Sequence, residues 1–538
     1  MTVLKQNAVA RWAIAATLVL AGSCAPVSHG SFAQANAPYD VVEAEKTLAF
    51  GYTSIVERHL ERVSAASVAI EGMRGLSSID PEVNISRLGN RVLLSASDRV
   101  VAEYPAPAED DIHGWARLTV TVALDARNVS QAVRDADVEK VYEAAFDATL
   151  ARLDVFSRYA GAKEARDHRA SRNGFGGIGI KFDMIDNEAR IIEVMDDTPA
   201  AKAGMRVGDV ISEIEGEPVR NWPRADISNR LRGPVASDIG LTLKRGAGAV
   251  QVSMRRALIV PPTVTMTVHD GVAEFKITSF NQRTAASLNG QLKQAREQLG
   301  AGIKGVVLDL RGNPGGLLDQ AVAMADIFIA DGPILSTKGR HPSASQHFEA
   351  RSGDAGEDLP VVVLVDGKSA SAAEIVASAL QDTGRAVVVG TNSYGKGTVQ
   401  TVIRLPNDGE MTLTWSRFHT PTGYALHGLG VLPTLCTADG ATTTAGVLDG
   451  LVHASYAPVA SELARWRHAS LEETDLRKRL RTTCPSSAHA SDHVDMEVAE
   501  RLLADRTAYG RALALSIPGA PPEPAQAQEA PAVQQVHQ

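Results

Sequence analysis

The pattern of apolar and polar residues divides the chain into helical ends and a strand-rich middle. Residues 39–70 carry apolar side chains at helical spacing. The stretches from Leu88 to Tyr104 and from Ala116 to Ala126 alternate between apolar and polar residues, which predicts strands. Residues 446–515 return to helical spacing, with charges opposite the leucines. We therefore expect a mainly helical N-terminal region over 36–172 and a second helical region near the carboxyl end.

The clearest alternation of strand and helix lies within residues 359–400. An apolar run of strand length, Pro360 to Val365, leads through a turn to Ser369-Ala-Ser371 and then to a helical pattern. A second apolar strand, Ala386 to Val389, precedes a glycine-rich bend that holds Lys396. Strands that alternate with helices predict an α/β core.

Ser371 stands where a strand gives way to a helix. The first N–H groups of a helix lack intrahelical partners and carry positive partial charge, so they favour a nearby oxyanion. A serine hydroxyl needs a base, and Lys396 can act as one only if burial or positive charge lowers its pKa. Taken alone, such a serine is more often an N-cap and such a lysine a solvated loop residue, so spacing does not identify a catalytic pair.

The segments G-K-S-A-S-A-A-E-I-V-A-S-A-L-Q-D and V-G-T-N-S-Y-G-K-G-T-V-Q closely resemble the carboxyl-terminal processing proteases, or tail-specific proteases, of peptidase family S41. The resemblance implies that Ser371 is the nucleophile, Lys396 the general base and Gln400 a residue that orients the lysine. Residues i and i+4 of a strand share a face, which agrees with contact between Lys396 and Gln400.

The same resemblance places an oxyanion hole between two loops. The turn R-G-N-P-G-G ends at Gly316 and matches the family's L-D-L-R-x-N-x-G-G, whose last glycine supplies one N–H group. The second donor would be the N–H of Ala372, directly after the nucleophile. The alternative for the glycines is a simple turn at a helix start. The resemblance implies a crotonase-like or ClpP-like spiral over residues 263–440 rather than a doubly wound sheet.

Residues 173–258 resemble a PDZ domain. The loop G-F-G-G-I-G-I is followed by T-P-A-A-K-A-G-M-R-V-G-D, which is typical of PDZ domains in secreted proteases. The adjoining strand edge could accept a peptide as an added strand, and loop N–H groups could bind its terminal carboxylate. The alternative is that these glycines only form tight turns. The carboxylate-binding residues would be Gly177, Ile178, Gly179 and Ile180.

A connecting segment departs from the family pattern. L-D-V-F-S-R-Y-A-G-A-K-E resembles the connection into the peptide-binding domain, where L-D-P-H-S-x-Y is usual. Val155 and Phe156 stand in place of the usual Pro and His.

The N-terminus predicts export. An apolar segment from Trp12 to Ala21 follows basic residues and is too short for a comfortable membrane span, which is typical of a secretory signal. We expect residues 1–35 to be a signal peptide that is cleaved after Ala33-Gln-Ala35, giving a periplasmic protein. Lipidation at Cys24, in a sequence similar to a lipobox, is the alternative and would tether the protein to a membrane.

The composition limits partners and cofactors. The chain has 538 residues and a net charge of −9, which gives no reason to expect nucleic acid. No C-x-x-C or H-E-x-x-H pattern is present, so no metal is expected. The Ser–Lys mechanism that the resemblance implies needs no cofactor. Cys436 and Cys484 predict either a disulfide or two free thiols.

Residues 446–515 are expected to form a docking or homo-oligomerisation appendage, or a cap on the core. Residues 516–538 are expected to form a disordered tail.

These features predict a serine endopeptidase of the C-terminal processing type. It would cleave exported proteins or peptides with free C-termini, with recognition guided by the PDZ domain. One alternative is a non-catalytic periplasmic PDZ adaptor or chaperone, which the presence of Ser371 and Lys396 disfavours. Another is an acyl-CoA-type lyase or hydratase on the same fold class, which the PDZ domain and the Ser–Lys pair disfavour.

Overall fold

A computed structural model describes most of the chain after the expected signal peptide. It covers residues 40–351, 353–356, 359–438, 443–452, 457–486 and 493–517. The expected signal peptide, Cys24 and residues 518–538 of the expected tail lie outside the described residues. Ser516, the first residue of the expected tail, is instead the buried last residue of a helix. Within the described residues, no helix combines the length and the apolar character needed to cross a membrane.

The N-terminal region is helical with one small sheet, whose strands β1 to β3 form an antiparallel meander. This confirms the strands expected between Leu88 and Tyr104. The elements are α1 (Val41–Arg58), α2 (Ala65–Arg74), β1 (Val83–Leu88), β2 (Arg91–Ala96), β3 (Arg99–Pro105), α3 (Ile112–Val129), α4 (Gln131–Asp135) and α5 (Val138–Ala151).

The strand expected from Ala116 to Ala126 is wrong, because these residues lie within α3. The buried positions of α3 include Trp115, Thr119, Val122 and Ala126, which recur every three or four residues as in a helix. α3 packs against both α1 and α2, so apolar residues occupy more than one side of it. The T-V-T-V segment therefore imitates strand alternation, and packing overrides the weak helix preference of Thr and Val.

The PDZ region has its own sheet and its own apolar core. Its strands are ordered β11–β10–β8–β7–β6, which leaves β6 as an edge strand. Phe182 of β6 and Ile227 of α8 are both buried in that core. The elements are β4 (Arg158–Ala160) and α6 (Ala162–Asn173), which lead in, then β5 (Phe175–Gly177), β6 (Ile180–Ile185), β7 (Glu188–Val194), α7 (Pro199–Lys202), β8 (Val210–Ile214), β9 (Glu217–Pro218), α8 (Arg224–Leu231), β10 (Asp238–Arg245), β11 (Gly248–Arg255) and β12 (Ala257–Ile259).

The α/β core is built around a sheet whose strands follow one another in chain order. Its elements are β13 (Val264–His269), β14 (Val272–Ile277), α9 (Thr284–Leu299), β15 (Gly305–Asp309), α10 (Leu318–Asp326), β16 (Pro333–Gly339), β17 (Gln346–Glu349), β18 (Val361–Val365), α11 (Ala372–Asp382), β19 (Ala386–Gly390), β20 (Thr398–Arg404), β21 (Glu410–His419) and β22 (Leu435–Cys436). The sheet order is β13–β14–β15–β18–β19–β22, and the pairs from β14 to β22 are parallel.

The strand order of this sheet rises steadily and never reverses. A doubly wound sheet would reverse at a switch point, so the order confirms the expected spiral. A second sheet, β17–β16–β21–β20, packs beside it, and β4 pairs with β21. α6 is also fixed to this sheet, because Arg169 and Arg172 both form ion pairs with the buried Glu410 of β21.

The C-terminal helices pack onto the core. They are α12 (Thr444–Val452), α13 (Ala457–His468), α14 (Thr474–Arg481), α15 (His493–Ala504) and α16 (Arg506–Ser516). Trp466 and Leu480 belong to the main apolar cluster of the core. Cys436 at the end of β22 is disulfide-bonded to Cys484. The structure therefore shows the cap that was one of the two alternatives, and an oligomer through these helices stays a prediction.

Candidate active site

Ser371 occupies a strained backbone position at the N-cap of α11. Its φ of 56° and ψ of −113° lie in a region that favours glycine. Such a conformation costs about 1–3 kcal/mol, and it persists only where surrounding contacts enforce it. Ser371 is half-buried and follows the fully buried strand β18. The strain therefore marks the serine as a residue whose placement is imposed by its surroundings.

Two loops are joined beside this serine. Asp366, in the turn after β18, accepts a hydrogen bond from the N–H of Gly312 at 2.9 Å. The N–H of Ala370 donates to the carbonyl of Asn313 at 2.9 Å, and the Ser369 hydroxyl donates to the carbonyl of Leu310 at 2.8 Å. The turn after β15 is thereby held against the start of α11.

Gly315 lies directly against Ser371, the predicted nucleophile. Its φ is 101°, and a Cβ atom there would lie 2.9 Å from Ser371 Cβ and 3.0 Å from the nitrogen of Ala372. Both the backbone angle and the space therefore require glycine. The N–H of Gly315 is already used, since it donates to Asn313 Oδ1 at 2.8 Å.

Gly316 forms a parallel β-bridge with Phe280. The N–H of Gly316 takes no part in the hydrogen bonds of this bridge. The N–H of Phe280 donates to the carbonyl of Gly315 at 3.0 Å, and the N–H of Leu317 donates to the carbonyl of Phe280 at 2.9 Å. These bonds leave the N–H of Gly316 directed away from Phe280. The hydrogen bonds found within the described chain include none from the N–H of Gly316 or of Ala372.

Glu374 connects the serine to the lysine loop. Its carboxylate is fully buried, and its Oε2 accepts the N–H groups of Ser371 at 2.7 Å and Lys396 at 2.9 Å. Its Oε1 accepts the hydroxyl of Ser393 at 2.5 Å and the N–H of Gly395 at 2.7 Å. Burial raises the pKa of Glu374, and these four hydrogen bonds oppose that rise. One oxygen therefore holds the backbone of both predicted catalytic residues.

The Lys396 side chain is largely buried beside the connecting segment. Its Nζ lies 5.0 Å from the ring centroid of Phe156. Burial and then the positive charge of Arg158 lower the pKa of Lys396, whereas the charges of Glu374 and Asp154 oppose this. In the described part of the chain, no hydrogen bond joins Lys396 Nζ to Ser371 Oγ.

Gln400 has partners other than the lysine. Its side-chain amide donates to the hydroxyls of Thr398 at 2.9 Å and Thr414 at 3.3 Å. Lys396 precedes β20, and the pairing register shifts between Val399 and Gln400. Lys396 and Gln400 therefore do not lie on one regular strand, so their i, i+4 spacing does not place them on a common face. The orienting role of Gln400 stays a prediction.

Asp154 is the acceptor of a polar cluster next to Lys396. It accepts the Thr414 hydroxyl at 2.9 Å and the Ser157 hydroxyl at 2.7 Å, and His59 Nε2 lies 3.2 Å away. Burial opposes ionisation of Asp154, but the hydrogen bonds from His59 and Ser157 hold its pKa below its ordinary value. The cluster fixes the segment that carries Phe156.

Two residues of this site, Glu374 and Phe156, were not predicted from the sequence. Glu374 stands three residues after Ser371, in the S-x-x-E spacing of a capping box, so its contact with the Ser371 N–H could have been expected. Phe156 was visible only as a departure from the family pattern. Nothing in the sequence indicated that its ring would face Lys396.

The expected carboxylate loop of the PDZ region joins β5 to β6. Ile178 is buried, and Gly179 has a φ of 86°. The carbonyls of both residues are engaged within the domain, by the N–H groups of Ala200 and Met195, each at 2.9 Å.

Comparison with known proteins agrees with this architecture. Residues 271–436 match peptidase family S41, and residues 190–245 match the PDZ domain. The chain is 37% identical over 346 residues to a carboxy-terminal-processing protease of Bartonella bacilliformis, covering 64% of this chain and 80% of that protein. It is 33% identical over 304 residues to a probable CtpA-like serine protease of Staphylococcus saprophyticus, covering 56% of this chain and 61% of that one.

Among solved structures, a photosystem II D1 C-terminal processing protease is 22% identical, with a TM-score of 0.37. The alignment covers 72% of this chain and 92% of that one.

A PDZ domain attached to an α/β core with a serine at a helix start defines a serine-type peptidase of the C-terminal processing class. The chain belongs to peptidase family S41.

Replacing Gly315 by alanine should abolish peptidase activity. The added methyl would collide with Ser371 Cβ and with the nitrogen of Ala372. The matched control is Gly312→Ala in the same turn, because Gly312 also has a positive φ, 72°, but no atom lies within 4 Å of the added Cβ. Initial rates of β-casein cleavage should fall by about 100-fold or more for Gly315→Ala and far less for Gly312→Ala. Equal losses would contradict the prediction that the position of Gly315 against Ser371 is required for activity.

Proposed function

We propose that this protein is a serine endopeptidase that uses Ser371 and Lys396 and cleaves exported proteins near their C-termini. Export is inferred from the N-terminal sequence pattern, and the periplasm is the compartment we expect. The PDZ domain recognises the C-terminal tail of the substrate. No cofactor enters the proposed reaction.

In the proposed reaction, neutral Lys396 removes the proton from the Ser371 hydroxyl, whose oxygen attacks a peptide carbonyl. The resulting oxyanion accepts hydrogen bonds from the N–H groups of Gly316 and Ala372. The tetrahedral intermediate collapses, the C–N bond breaks, and the lysine ammonium returns the proton to the leaving amine. Water then hydrolyses the ester to the Ser371 oxygen, again with Lys396 as base.

The observation that carries this proposal is the shared acceptor, Glu374. Its Oε2 bonds the N–H groups of both Ser371 and Lys396, so the two backbones are held close together. A lysine with a lowered pKa beside a serine in a strained turn at a helix N-terminus has the properties required for base and nucleophile. Catalytic hydrogen bonds are often long before substrate binds, so the Ser371–Lys396 contact can form in the complex with substrate.

Access of the lysine to the serine is proposed to depend on the connecting segment. Phe156 contacts Lys396 Nζ, and Arg158 begins the strand β4 that leads into α6 and the PDZ domain. A shift of this segment when the PDZ domain binds a tail would free Nζ to turn towards Ser371. The PDZ domain can thus act by delivering the substrate or by relieving inhibition.

Removal of either proposed catalytic side chain should abolish cleavage without preventing recognition. Ser371→Ala and Lys396→Ala should each lower the initial rate of β-casein degradation by about 1,000-fold or more, because the nucleophile or its base is lost. Binding of a peptide with a free C-terminus, measured by fluorescence anisotropy, should be retained in both variants. Full activity of Lys396→Ala would contradict the assignment of the base.

The proposed role of Lys396 as the base also predicts that the rate of cleavage depends on pH. Only neutral Lys396 can accept the proton, so kcat should rise with pH, and the lowered pKa places this rise below the range of an ordinary lysine. Arg158→Gln removes a positive charge that disfavours protonation, so the pKa of Lys396 should increase and the rise should move to higher pH. The exposed Arg404→Gln is the control and should not move it. A profile that Arg158→Gln leaves unmoved would argue against a lysine base in this environment.

We expect a substrate tail to pair with the free edge of the PDZ sheet, which is strand β6. The two-residue turn Asp186–Asn187 closes the β6–β7 hairpin, and pairs along the ladder alternate between bonded and non-bonded. Phe182 and Ile191 form a non-hydrogen-bonded pair of this ladder. The N–H and C=O of Phe182 therefore point away from β7, towards the free edge of the sheet. The guanidinium of Arg224, at the start of α8, donates to that carbonyl at 3.2 Å. An incoming peptide strand must therefore displace Arg224.

Arg224→Ala should increase the affinity of the PDZ domain for peptides with apolar C-terminal residues. The change frees the Phe182 carbonyl, and one net hydrogen bond corresponds to about three- to tenfold in Kd. Arg230→Ala on the same helix is the control, since Arg230 pairs with Glu217 at the surface. Peptide titration of the intact Ser371→Ala chain by anisotropy measures both. Unchanged or weaker binding by Arg224→Ala would show that Arg224 does not obstruct the edge.

A further inference from the structure

Arg477 of α14 is buried although it has no acidic partner among the described ion pairs. It is 5% exposed and donates to three carbonyl oxygens, those of Ala469 at 2.8 Å, Ala425 at 2.8 Å and His427 at 2.6 Å. Burying a guanidinium is costly unless hydrogen bonds replace its water. These bonds show that its charge serves to hold a backbone segment rather than to neutralise a carboxylate.

Arg481 lies one helical turn later and reaches further towards the site. Its guanidinium donates to the carbonyl of Leu429 at 2.7 Å and to the carbonyl of Ser393 at 3.2 Å. Residues four apart share one helix face, so Arg477 and Arg481 act on the same surface of the core. A Cβ atom on Gly395 would lie only 3.1 Å from Arg481.

The arginines bind the backbone of residues 425–431, and this segment is in turn hydrogen-bonded to the loop that carries Lys396. The N–H of Gly428 donates to the carbonyl of Gly395 at 2.8 Å, and the N–H of Val431 donates to the hydroxyl of Ser393 at 2.7 Å. The lysine loop therefore lies between Glu374 on one side and the arginine-held segment on the other. Because glycines flank Lys396, the loop's own backbone is permissive and depends on these external contacts.

A covalent bond keeps α14 in place. Cys484 follows Arg481 by three residues and is bonded to Cys436 at the end of the core sheet. The side chain of Asn392, just before the lysine loop, donates to the carbonyl of Arg481 at 3.1 Å. α14 lies beyond residues 271–436, which match the peptidase family, so these contacts come from an extension of the core.

We propose that Arg477 and Arg481 are positioning residues for Lys396. The Cys436–Cys484 disulfide keeps both arginines in position, so turnover depends on the disulfide being intact. The proposal rests on the proposed role of Lys396 as the base. A base misplaced by about 1 Å costs on the order of 100-fold in rate, so loosening one side of its loop is sufficient to slow catalysis. The C-terminal helices would thus act on catalysis as well as on stability.

The first test compares arginines on one helix. Arg481→Gln should lower kcat for β-casein by about tenfold or more, with KM and peptide affinity changed less than about twofold. Arg481→Lys keeps the positive charge that Gln lacks and should recover part of the loss, and the exposed Arg479→Gln should match wild type. Assays are run well below each variant's thermal midpoint, so that unfolding does not contribute. Equal kcat for Arg481→Gln and Arg479→Gln would overturn the proposal.

The second test asks whether the disulfide acts through Arg481. Dithiothreitol supplies two electrons, breaks the S–S bond and leaves two thiols while being oxidised itself. Reduction should lower kcat of the wild type by about threefold or more, reversibly on reoxidation, and should lower kcat of Arg481→Gln much less, since both changes loosen the same contact. Fully additive losses would contradict the coupling.

If Lys396→Ala proves fully active, the proposed base is wrong and this proposal fails with it. If Lys396→Ala is inactive but Arg481→Gln is not impaired, only this proposal fails.

Discussion

The candidate active site depends on one buried carboxylate. Glu374 has no exposure to solvent, yet all four of its hydrogen bonds come from residues of the serine turn and the lysine loop. A buried carboxylate is costly without such donors, so the loops and the carboxylate stabilise one another. The strained backbone of Ser371 is maintained by the same contact, because its N–H is one of the four donors.

The fold supplies both sides of this arrangement. The parallel strands β15 and β18 end at the same edge of the sheet, and their following turns are joined through Asp366 and Asn313. This puts Gly315 against Ser371. β19 and β20 then place the glycine-flanked Lys396 loop against the same carboxylate, because the N–H of Lys396 donates to the Glu374 oxygen that also accepts the N–H of Ser371. Burial and the charge of Arg158 lower the pKa of Lys396, whereas the carboxylates of Glu374 and Asp154 oppose this lowering.

Much of this architecture could be predicted from the sequence, for identifiable reasons. The apolar runs of β18 and β19 and the S-A-S and G-K-G segments are local patterns with a specific family resemblance. The S-x-x-E spacing could have indicated the contact of Glu374 with the N–H of Ser371, but not its contacts with Ser393 and Gly395, because the fold brings those residues to it.

The errors and omissions arise where distant contacts decide the structure. α3 was mistaken for a strand because helices on more than one side bury Thr119, Val120 and Val122 of its T-V-T-V segment. Phe156 faces Lys396 across more than 200 residues of sequence, and no local pattern carries that information. The contacts of Arg477 and Arg481 are equally long-range.

The most direct test of this account is the turnover of the Glu374→Gln variant. Its amide presents an N–H₂ group, which cannot accept a hydrogen bond, to one of the two donor pairs, so at least one loop loses its acceptor. The account predicts a folded protein that still binds a C-terminal peptide, with kcat for β-casein at least about 100-fold below wild type. A folded Glu374→Gln protein with kcat within about twofold of wild type would contradict it.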